Sequence, residues 1–368
     1  MKAKKWIALA LALAMVLALC ACGKSGGQSS GGSSTAATAP TGTTTGTTTA
    51  APGADGAPVL TTTDKVNIVW SHNNPESSAA GQAALKFKEE IEARSGGVIS
   101  VKIYANGELG SVPENDQALR QGTIQMVCGT AGGLVDQSLS YFDLPCLVAD
   151  AESFEGLFGR GTELRAETES RFNAMGMKVL SLVAGGFGIV SSNKEIRSYP
   201  DMKGLNIRVS ENPIFMEEFR DWGCNPTPVA FGELYVALQQ GLVEAQTNSL
   251  DTTVSSLLYE QQKYIVNTNH SVQPLGIYMN LDFYNNLPED VRALIDWVCE
   301  NVIDDYTRQL AVEADQASQK IVVDAGLEII DFTDADREQM RKDAQPVYDM
   351  VAGIVGQELI DRISELQK

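Results

Sequence analysis

Histidine is almost absent from this chain of 368 residues, which contains only 2. A zinc hydrolase needs clustered histidine ligands, and neither His72 nor His270 has a second histidine four residues away. A Ser-His-Asp triad would have to use one of the same two histidines, and the chain has no G-x-S-x-G motif. The sequence therefore argues against hydrolytic enzymes of both kinds, and it predicts no metal and no other cofactor.

Positive charge is also scarce, because 28 Lys and Arg stand against 47 Asp and Glu and give a formal net charge of −19. Such a surface repels nucleic acids, so we expect no nucleic-acid partner. With 43% hydrophobic and 20% charged residues, the chain is neither disordered nor collagen-like nor a polytopic membrane protein. At roughly 150 residues per domain, the length predicts two globular domains.

Cysteine pairs at close spacing are missing from the part of the chain that is expected to fold. Its four cysteines are scattered, and no C-x-x-C motif occurs among Cys128, Cys146, Cys224 and Cys299. Export would permit disulfides, but buried free thiols are at least as compatible with a chain of this size, so the state of these cysteines stays open.

The first residues have the layout of an export signal. Three lysines precede an apolar run over residues 6–19, and small residues and cysteines follow. The segment resembles a bacterial lipoprotein box, in which a small residue precedes the lipidated cysteine, so Ala21 points to Cys22. Cys20 is the rival, but bulky Leu19 precedes it. We predict a signal peptide over residues 1–21 and lipidation at Cys22, with an ordinary cleaved signal as the alternative.

Residues 22–63 then provide a flexible tether. They are Gly, Ser, Thr, Ala and Pro with few charged or large apolar residues, and such a segment cannot bury enough surface to fold. A coil of some 40 residues has an r.m.s. reach of roughly 35 Å. No later segment offers 18 consecutive apolar residues. The protein is therefore expected to be exported and held at the outer face of the cell membrane by a lipid anchor.

Strand-like and helix-like segments alternate from residue 64 onwards. Residues 66–70 and 98–104 have strand patterns, and residues 76–94 between them have helical spacing. The alternation continues to residue 247 and predicts an α/β fold with mostly parallel sheets. Residues 288–325 are nearly free of helix breakers and predict one helix about 54 Å long, which would bridge two lobes or kink between them. Two helices joined by a loop are the alternative.

Two segments carry the most informative motif. Residues 207–209 read I-R-V, and residues 226–241 read P-T-P-V-A-F-G-E-L-Y-V-A-L-Q-Q-G. This combination resembles the solute-binding proteins of tripartite ATP-independent periplasmic (TRAP) transporters, in the DctP-like family. The resemblance implies a two-lobed periplasmic-binding-protein-like fold with hinge strands and a long helix spanning both lobes. Lobe 1 would comprise residues 64–185 and about 274–313, and lobe 2 residues 186–273 and about 314–368.

The resemblance also implies a function without covalent chemistry. The protein would capture a carboxylate-containing small molecule, an organic or sugar acid, and deliver it to TRAP membrane subunits. Arg208 would clamp the carboxylate, because a guanidinium offers two parallel N–H donors. The residues that match ligand-binding positions of the family are Arg208, Asn248, Phe231, Asn73, Thr130 and Glu211.

One departure from the family bears on the substrate. Many relatives carry a second arginine in a G-x-R-x-x-T-x-x-K pattern, whereas this chain has Gly188 at that place. A single arginine favours a monocarboxylate, or an acid whose other groups meet hydroxyl and amide partners. Two other functions stay open at this point: a ligand-capturing partner of a membrane sensor and, less favoured, an extracytoplasmic enzyme.

Overall fold

A computed structural model describes residues 55–366 of the chain, which belong to one compact unit. The predicted signal peptide, Cys22 and most of the predicted tether lie outside the described residues. Within the described part, eleven strands form two sheets, and helices surround both sheets.

The first sheet has five strands in the order β2 (Ile99–Tyr104), β1 (Val66–Ser71), β3 (Met126–Gly129), β10 (Val272–Asn280) and β4 (Met177–Phe187), of which β10 comes from a later part of the chain. β1 is parallel to β2 and β3, whereas β10 runs antiparallel to β3 and β4. Each α-helix that precedes β4 begins after a polar N-cap residue. In the first of these helices the N-cap is Ser78, whose side chain accepts a hydrogen bond from Gly81 N. The elements in this region are β1 (Val66–Ser71), α1 (Ala79–Arg94), β2 (Ile99–Tyr104), α2 (Val112–Arg120), β3 (Met126–Gly129), the 3₁₀ segment Gln137–Asp143, α3 (Ala151–Phe158), α4 (Glu163–Ala174) and β4 (Met177–Phe187).

The second sheet has six strands in the order β11-β9-β5-β8-β6-β7. Here β6 is parallel to β7 and β8, and β5 is antiparallel to β8 and β9. Both sheets are therefore mixed, so the prediction of mostly parallel sheets holds only in part. The elements are β5 (Ile189–Ser192), the 3₁₀ segment Tyr199–Met202, β6 (Asn206–Val209), α5 (Pro213–Asp221), β7 (Asn225–Pro228), the 3₁₀ segment Phe231–Glu233, α6 (Leu234–Gln239), β8 (Ala245–Asn248), α7 (Leu250–Ser255), the 3₁₀ segment Leu258–Gln261 and β9 (Tyr264–Asn267).

Two neighbouring stretches of chain connect the sheets, and they explain the antiparallel strands. β4 passes into β5 through the single residue Gly188, and β9 returns to the first sheet through residues 268–271 and β10 (Val272–Asn280). The two crossings are hydrogen-bonded to each other, because Gly188 N donates to Ser271 O at 2.7 Å and Thr268 Oγ1 donates to Gly188 O at 3.2 Å. The first crossing leads from β4 to β5 and the second leads back from β9 to β10. This is why β10 is antiparallel to β4 and β9 is antiparallel to β5.

A long helix makes a third connection. The helical run begins with α8 (Leu281–Asn286) and continues after a break with α9 (Glu289–Val298), a π-helical segment (Cys299–Ile303) and α10 (Asp304–Asp324). The side chains of α9 pack in a core cluster with Trp70 and Phe87 of the first-sheet region, whereas Val322 near the end of α10 packs with Ile189 and Ile265 of the second sheet. The predicted long helix is confirmed, and a π-bulge rather than a loop interrupts it.

The end of the chain contacts both sheet regions. Val347 lies in one core cluster with Phe142 of the first-sheet region and with Ile214 on α5. The predicted assignment of residues 314–368 to lobe 2 stays a prediction, and so does the rest of the lobe division. The remaining elements are β11 (Glu328–Asp331), α11 (Asp334–Asp343), α12 (Gln345–Val355) and α13 (Gln357–Leu366).

The four cysteines of the described part are free thiols, and Cys128, Cys224 and Cys299 are buried. Burial raises the pKa of Cys128 and of Cys224 to about 12. No helix among residues 55–366 is long and apolar enough to cross a membrane.

Candidate functional site

A cavity of about 210 Å³ is lined by residues from both sheet regions. One half of its wall comes from residues at or after the ends of β1 and β3 in the first sheet, and the other half comes from β6, β8 and the loops that follow strands of the second sheet. Ligand sites in α/β folds commonly form outside the carboxyl ends of strands. The size fits a metabolite-sized solute, and five of the six predicted site residues line the wall: Asn73, Thr130, Arg208, Phe231 and Asn248.

Arg208 faces the cavity because of its place in β6. Its neighbours Ile207 and Val209 belong to a hydrophobic core cluster, and successive side chains of a strand point to opposite faces. Arg208 is only 3% exposed. Its Nε and Nη2 atoms both donate to the carbonyl oxygen of Val229, at 2.9 and 2.8 Å. This leaves the other edge of the guanidinium, Nη1 with the second N–H of Nη2, for a further acceptor.

The charge of Arg208 has no direct partner in the described part of the chain, where no carboxylate lies within ion-pair distance of it. Burial lowers the pKa of Arg208 to about 10, an effect that Glu211 partly opposes. The guanidinium is therefore still protonated at neutral pH. Glu211 itself is exposed and is not among the residues that line the cavity, so its predicted contact with a solute stays a prediction.

Asn248 lies on the same face of the second sheet as Arg208. Arg208 on β6 is paired in register with Gln246 on β8, and Asn248 follows two residues later. The Asn248 amide donates to Gln246 Oε1 at 2.6 Å, and Gln246 donates in turn to Ser191 Oγ and Thr253 Oγ1. This network fixes the orientation of Asn248. Its Oδ1 atom has no hydrogen bond within residues 55–366 and is left for a solute.

The predicted residues of the opposite wall are held by their own loops. Asn73 donates to Gly110 O at 2.8 Å and accepts from Asn115 Nδ2 at 3.0 Å, and Thr130 Oγ1 donates to Ala131 O at 3.0 Å. Both ends of the Asn73 amide are thus already engaged. Half-buried Phe231 packs against the cluster around Leu234 and adds an aromatic surface to the wall.

Sequence reasoning missed three acids that line the cavity: Asp116, Asp143 and Asp251. Asp143 is 4% exposed and accepts from Gly133 N at 2.6 Å and from Asn212 Nδ2 at 2.8 Å. Burial raises the pKa of Asp116 and of Asp143 to about 7. Asn212, which binds Asp143 and also lines the cavity, did have a local signal, because an Asn before a Pro at a helix start is typical of an N-cap. Nothing in the sequence distinguishes the three acids from the many surface acids.

Gly188 occupies a position without room for a side chain. A Cβ atom there would lie 2.4 Å from Ser271 Oγ and 3.0 Å from His270 Cε1. His270 is held by Thr268 and Thr247 through its two ring nitrogens, and burial lowers its pKa to about 3. His270 is therefore neutral, and Arg208 is the one cationic side chain among the residues that line this cavity.

No group of three or more metal-ligating side chains occurs among residues 55–366. The site consists of a buried arginine, amides, hydroxyls and buried acids around a cavity between two linked sheets. This arrangement defines a protein that captures a small solute.

Comparison with known proteins agrees with that class. Residues 70–353 match the family model described as bacterial extracellular solute-binding protein, family 7, and the chain belongs to this family. The 2,3-diketo-L-gulonate-binding periplasmic protein YiaO of Escherichia coli (strain K12) is 30% identical over 311 residues, which are 82% of this chain and 92% of that protein. The C4-dicarboxylate-binding periplasmic protein DctP of Rhodobacter capsulatus is 28% identical over 306 residues, 82% of this chain and 91% of that protein.

Solved structures of TRAP periplasmic solute-binding proteins have the same fold. The protein from Desulfovibrio salexigens with bound orotic acid matches with a TM-score of 0.77 and 26% identity, over 82% of this chain and 99% of that chain. The protein from Shewanella oneidensis with bound succinate also has a TM-score of 0.77 and 26% identity, over 83% of this chain and 100% of that chain. The predicted family and the predicted two-lobed α/β fold of the periplasmic-binding-protein kind are thus confirmed. The family is a binding component of transport systems.

Proposed function

We propose that this chain captures a solute with one carboxylate outside the cell and delivers it to the membrane subunits of a TRAP-type carrier. The observation that carries the proposal is Arg208, which is 3% exposed at the cavity wall and has no ion-pair partner in the described chain. A buried charge is costly unless it is paired. A carboxylate brought by the solute would supply the missing partner.

The hydrogen bonds of Arg208 select the geometry of that contact. Because Nε and Nη2 are tied to Val229 O, the guanidinium is held in one orientation. Its free edge still offers two parallel N–H donors, and a bidentate pair with a carboxylate needs that arrangement. Asn248, on the same face of the sheet, has an amide oxygen for a hydroxyl group next to the carboxylate.

The choice of a monocarboxylate rests on Gly188 and on the acids. Gly188 supplies no second arginine at that position, where a Cβ atom would approach Ser271 Oγ and the His270 ring. The rest of the wall carries the carboxyl groups of Asp116, Asp143 and Asp251, which would repel a second carboxylate when they are ionised. The acids named for the relatives support a carboxylate-containing solute. We do not propose the C4-dicarboxylate named for one of them as the solute of this chain.

Binding would proceed by closure of the two predicted lobes, residues 64–185 with about 274–313 and residues 186–273 with about 314–368. Two hydrogen bonds already cross the cavity, from Asn212 to Asp143 at 2.8 Å and from Ala79 N to Asp251 at 3.3 Å. A solute with higher affinity for the closed form shifts the population toward it. The protein carries out no covalent chemistry in this mechanism.

The location follows from the N-terminal segment. A signal peptide over residues 1–21 would direct export, a lipid on Cys22 would anchor the protein, and residues 22–63 would give the binding unit its reach. Mass spectrometry of the mature protein tests this part. A diacylated N-terminal Cys22 is expected, and a mature N-terminus elsewhere would overturn the anchor without affecting the binding site.

Thermal melting against a library of organic and sugar acids tests the binding function. Each acid is measured beside its neutral amide or alcohol analogue. A ligand at 100 times its dissociation constant stabilises the protein by about 2.7 kcal/mol, which moves the melting midpoint by a few degrees. We expect shifts for acids and none for their neutral analogues. A shift for a neutral solute alone would remove the carboxylate clamp at Arg208.

A further inference from the structure

Asp116 is the one acid of the cavity wall whose carboxyl group the described chain leaves without a hydrogen bond. It lies on α2 in the first-sheet half of the wall and is 8% exposed. Its Oδ2 atom is buried and has no hydrogen-bond partner within residues 55–366. Asp143 and Asp251, by contrast, each accept at least one hydrogen bond from the other half of the cavity.

The neighbours of Asp116 are engaged elsewhere. Asn115, the preceding residue, donates to Asn73 Oδ1 and to Gly110 O at 3.0 Å and accepts from Ser71 Oγ at 3.0 Å. Arg120, one helical turn later, donates to Val135 O at 2.7 Å and lies 3.8 Å from Asp136; it forms no ion pair with Asp116, although its charge partly opposes the rise in the pKa of Asp116. These contacts hold α2 in place, and Asp116 is one of the residues that line the cavity.

A buried acceptor without a partner costs free energy, roughly 1–3 kcal/mol. Groups that destabilise the fold in this way concentrate where a ligand satisfies them. Burial raises the pKa of Asp116 to about 7, so both protonation forms exist near neutral pH. Each form has an unprotonated carboxyl oxygen that can accept a hydrogen bond.

We propose that Asp116 is a specificity residue that accepts a hydrogen bond from a donor group of the bound solute, a hydroxyl or an ammonium group away from the carboxylate held by Arg208. This inference rests on the proposed function and narrows it to monocarboxylates with a second, donating group. In its ionised form the same carboxyl group disfavours a dicarboxylate, because two carboxylates at hydrogen-bond distance repel each other.

The test uses matched acids of equal chain length with the purified protein. For four-carbon acids the probes are D-erythronate, butyrate, 4-aminobutyrate and succinate, and the corresponding six-carbon acids extend the series. Dissociation constants are measured by calorimetry for the wild type, for Asp116→Leu and for Asp116→Asn. Glu108→Gln serves as control, because Glu108 is an exposed acid outside the cavity wall.

We expect the wild type to prefer acids with a donor group over the deoxy acid by roughly tenfold or more. Asp116→Leu should reduce this preference to about one. Asp116→Asn keeps an acceptor oxygen but loses the charge, so it should keep the preference for hydroxyl groups and bind succinate more tightly than the wild type does. Comparison of D-erythronate with 4-aminobutyrate shows whether Asp116 prefers a hydroxyl or an ammonium group. The control Glu108→Gln should leave every ratio of dissociation constants unchanged.

Melting of the ligand-free proteins gives a second readout. If Asp116 only supported the fold, Asp116→Leu would lower the midpoint, whereas removal of an unsatisfied buried carboxyl group should raise it or leave it unchanged. The inference is overturned if acids bind but the preference for donor groups is absent or survives in Asp116→Leu. If no acid of either series binds to the wild type, the proposed carboxylate clamp itself fails.

Discussion

The two halves of the cavity differ in charge and in what their polar groups contact. The second-sheet half holds Arg208, a cation without a carboxylate partner, together with Asn248. The first-sheet half holds no cation among its lining residues; Ser71 and Asn73 are hydrogen-bonded to Asn115, whereas the buried Oδ2 atom of Asp116 has no partner within residues 55–366. This difference indicates a division of labour: one half would bind the carboxylate that all solutes of the class share, and the other half would distinguish between them.

The largest effect should come from removing the bidentate donor of the second-sheet half. Arg208→Lys keeps the positive charge but loses the two parallel N–H donors. We therefore expect the binding free energy of an acid ligand to weaken by about 2–4 kcal/mol, which is roughly 30- to 1,000-fold in affinity. Calorimetry measures the loss, and circular dichroism checks that the fold is intact. Arg220→Lys, on the exposed side of α5, is the matched control and should bind normally. Unchanged affinity in Arg208→Lys would move the carboxylate contact elsewhere.

A fully buried acid on α5 should contribute to the pH dependence of stability. Glu218 on α5 is fully buried, and both its carboxylate oxygens lack partners within residues 55–366. Burial, together with nearby Asp143, raises its pKa well above the usual value. A carboxyl group whose pKa is raised on folding stabilises most below its unfolded pKa, and this contribution is lost as pH rises through the folded pKa.

Glu218→Met should therefore raise the free energy of unfolding by about 1–3 kcal/mol at pH 8 and by less at pH 5. Urea unfolding at pH 5, 6, 7 and 8 measures the difference. The half-exposed neighbour Glu217, which pairs with Arg220 at the surface, gives the control variant Glu217→Met, which should change stability little at any pH. A gain that is equal at all four pH values would mean that Glu218 does not titrate differently in the folded state.

A side chain at Gly188 should destabilise the crossing between the two sheets. Its backbone conformation is ordinary, so the cost of Gly188→Ala comes from the 2.4 Å approach of a Cβ atom to Ser271 Oγ. We expect a loss of about 1–2 kcal/mol in the free energy of unfolding, measured by urea denaturation. The double variant Gly188→Ala with Ser271→Gly should recover part of it. If the single variant is as stable as the wild type, the crossing has room for a larger residue.

The smallest effect should come from loosening one contact between the halves. Asp251 accepts from Ala79 N across the cavity at 3.3 Å, a long hydrogen bond. Asp251→Ala should weaken ligand binding by about 0.5–1 kcal/mol, seen as faster dissociation in stopped-flow measurements. A slower dissociation rate would show that this contact does not favour the closed form.

The second-sheet half of the site was largely predictable and the first-sheet half was not. Arg208 and Asn248 stand in motifs whose spacing is local, so the strand pattern and the resemblance to the family located both. Glu211 was predicted from the same motif, but the structure leaves it at the surface. Asp116 had no signal, because its surroundings come from β1, β3 and α2, segments that are separate in the sequence.

The sequence by itself determined the α/β class, the long helix, the family and the single arginine of the site. These features depend on periodicity within one element or on a motif of neighbouring residues, which the order of amino acids contains directly. Only the tertiary structure decided that both sheets are mixed, that Gly188 has no space for a side chain, and that Asp116 and Glu218 are buried without partners. Burial and satisfied hydrogen bonds depend on atoms from distant segments that meet only after the chain has folded.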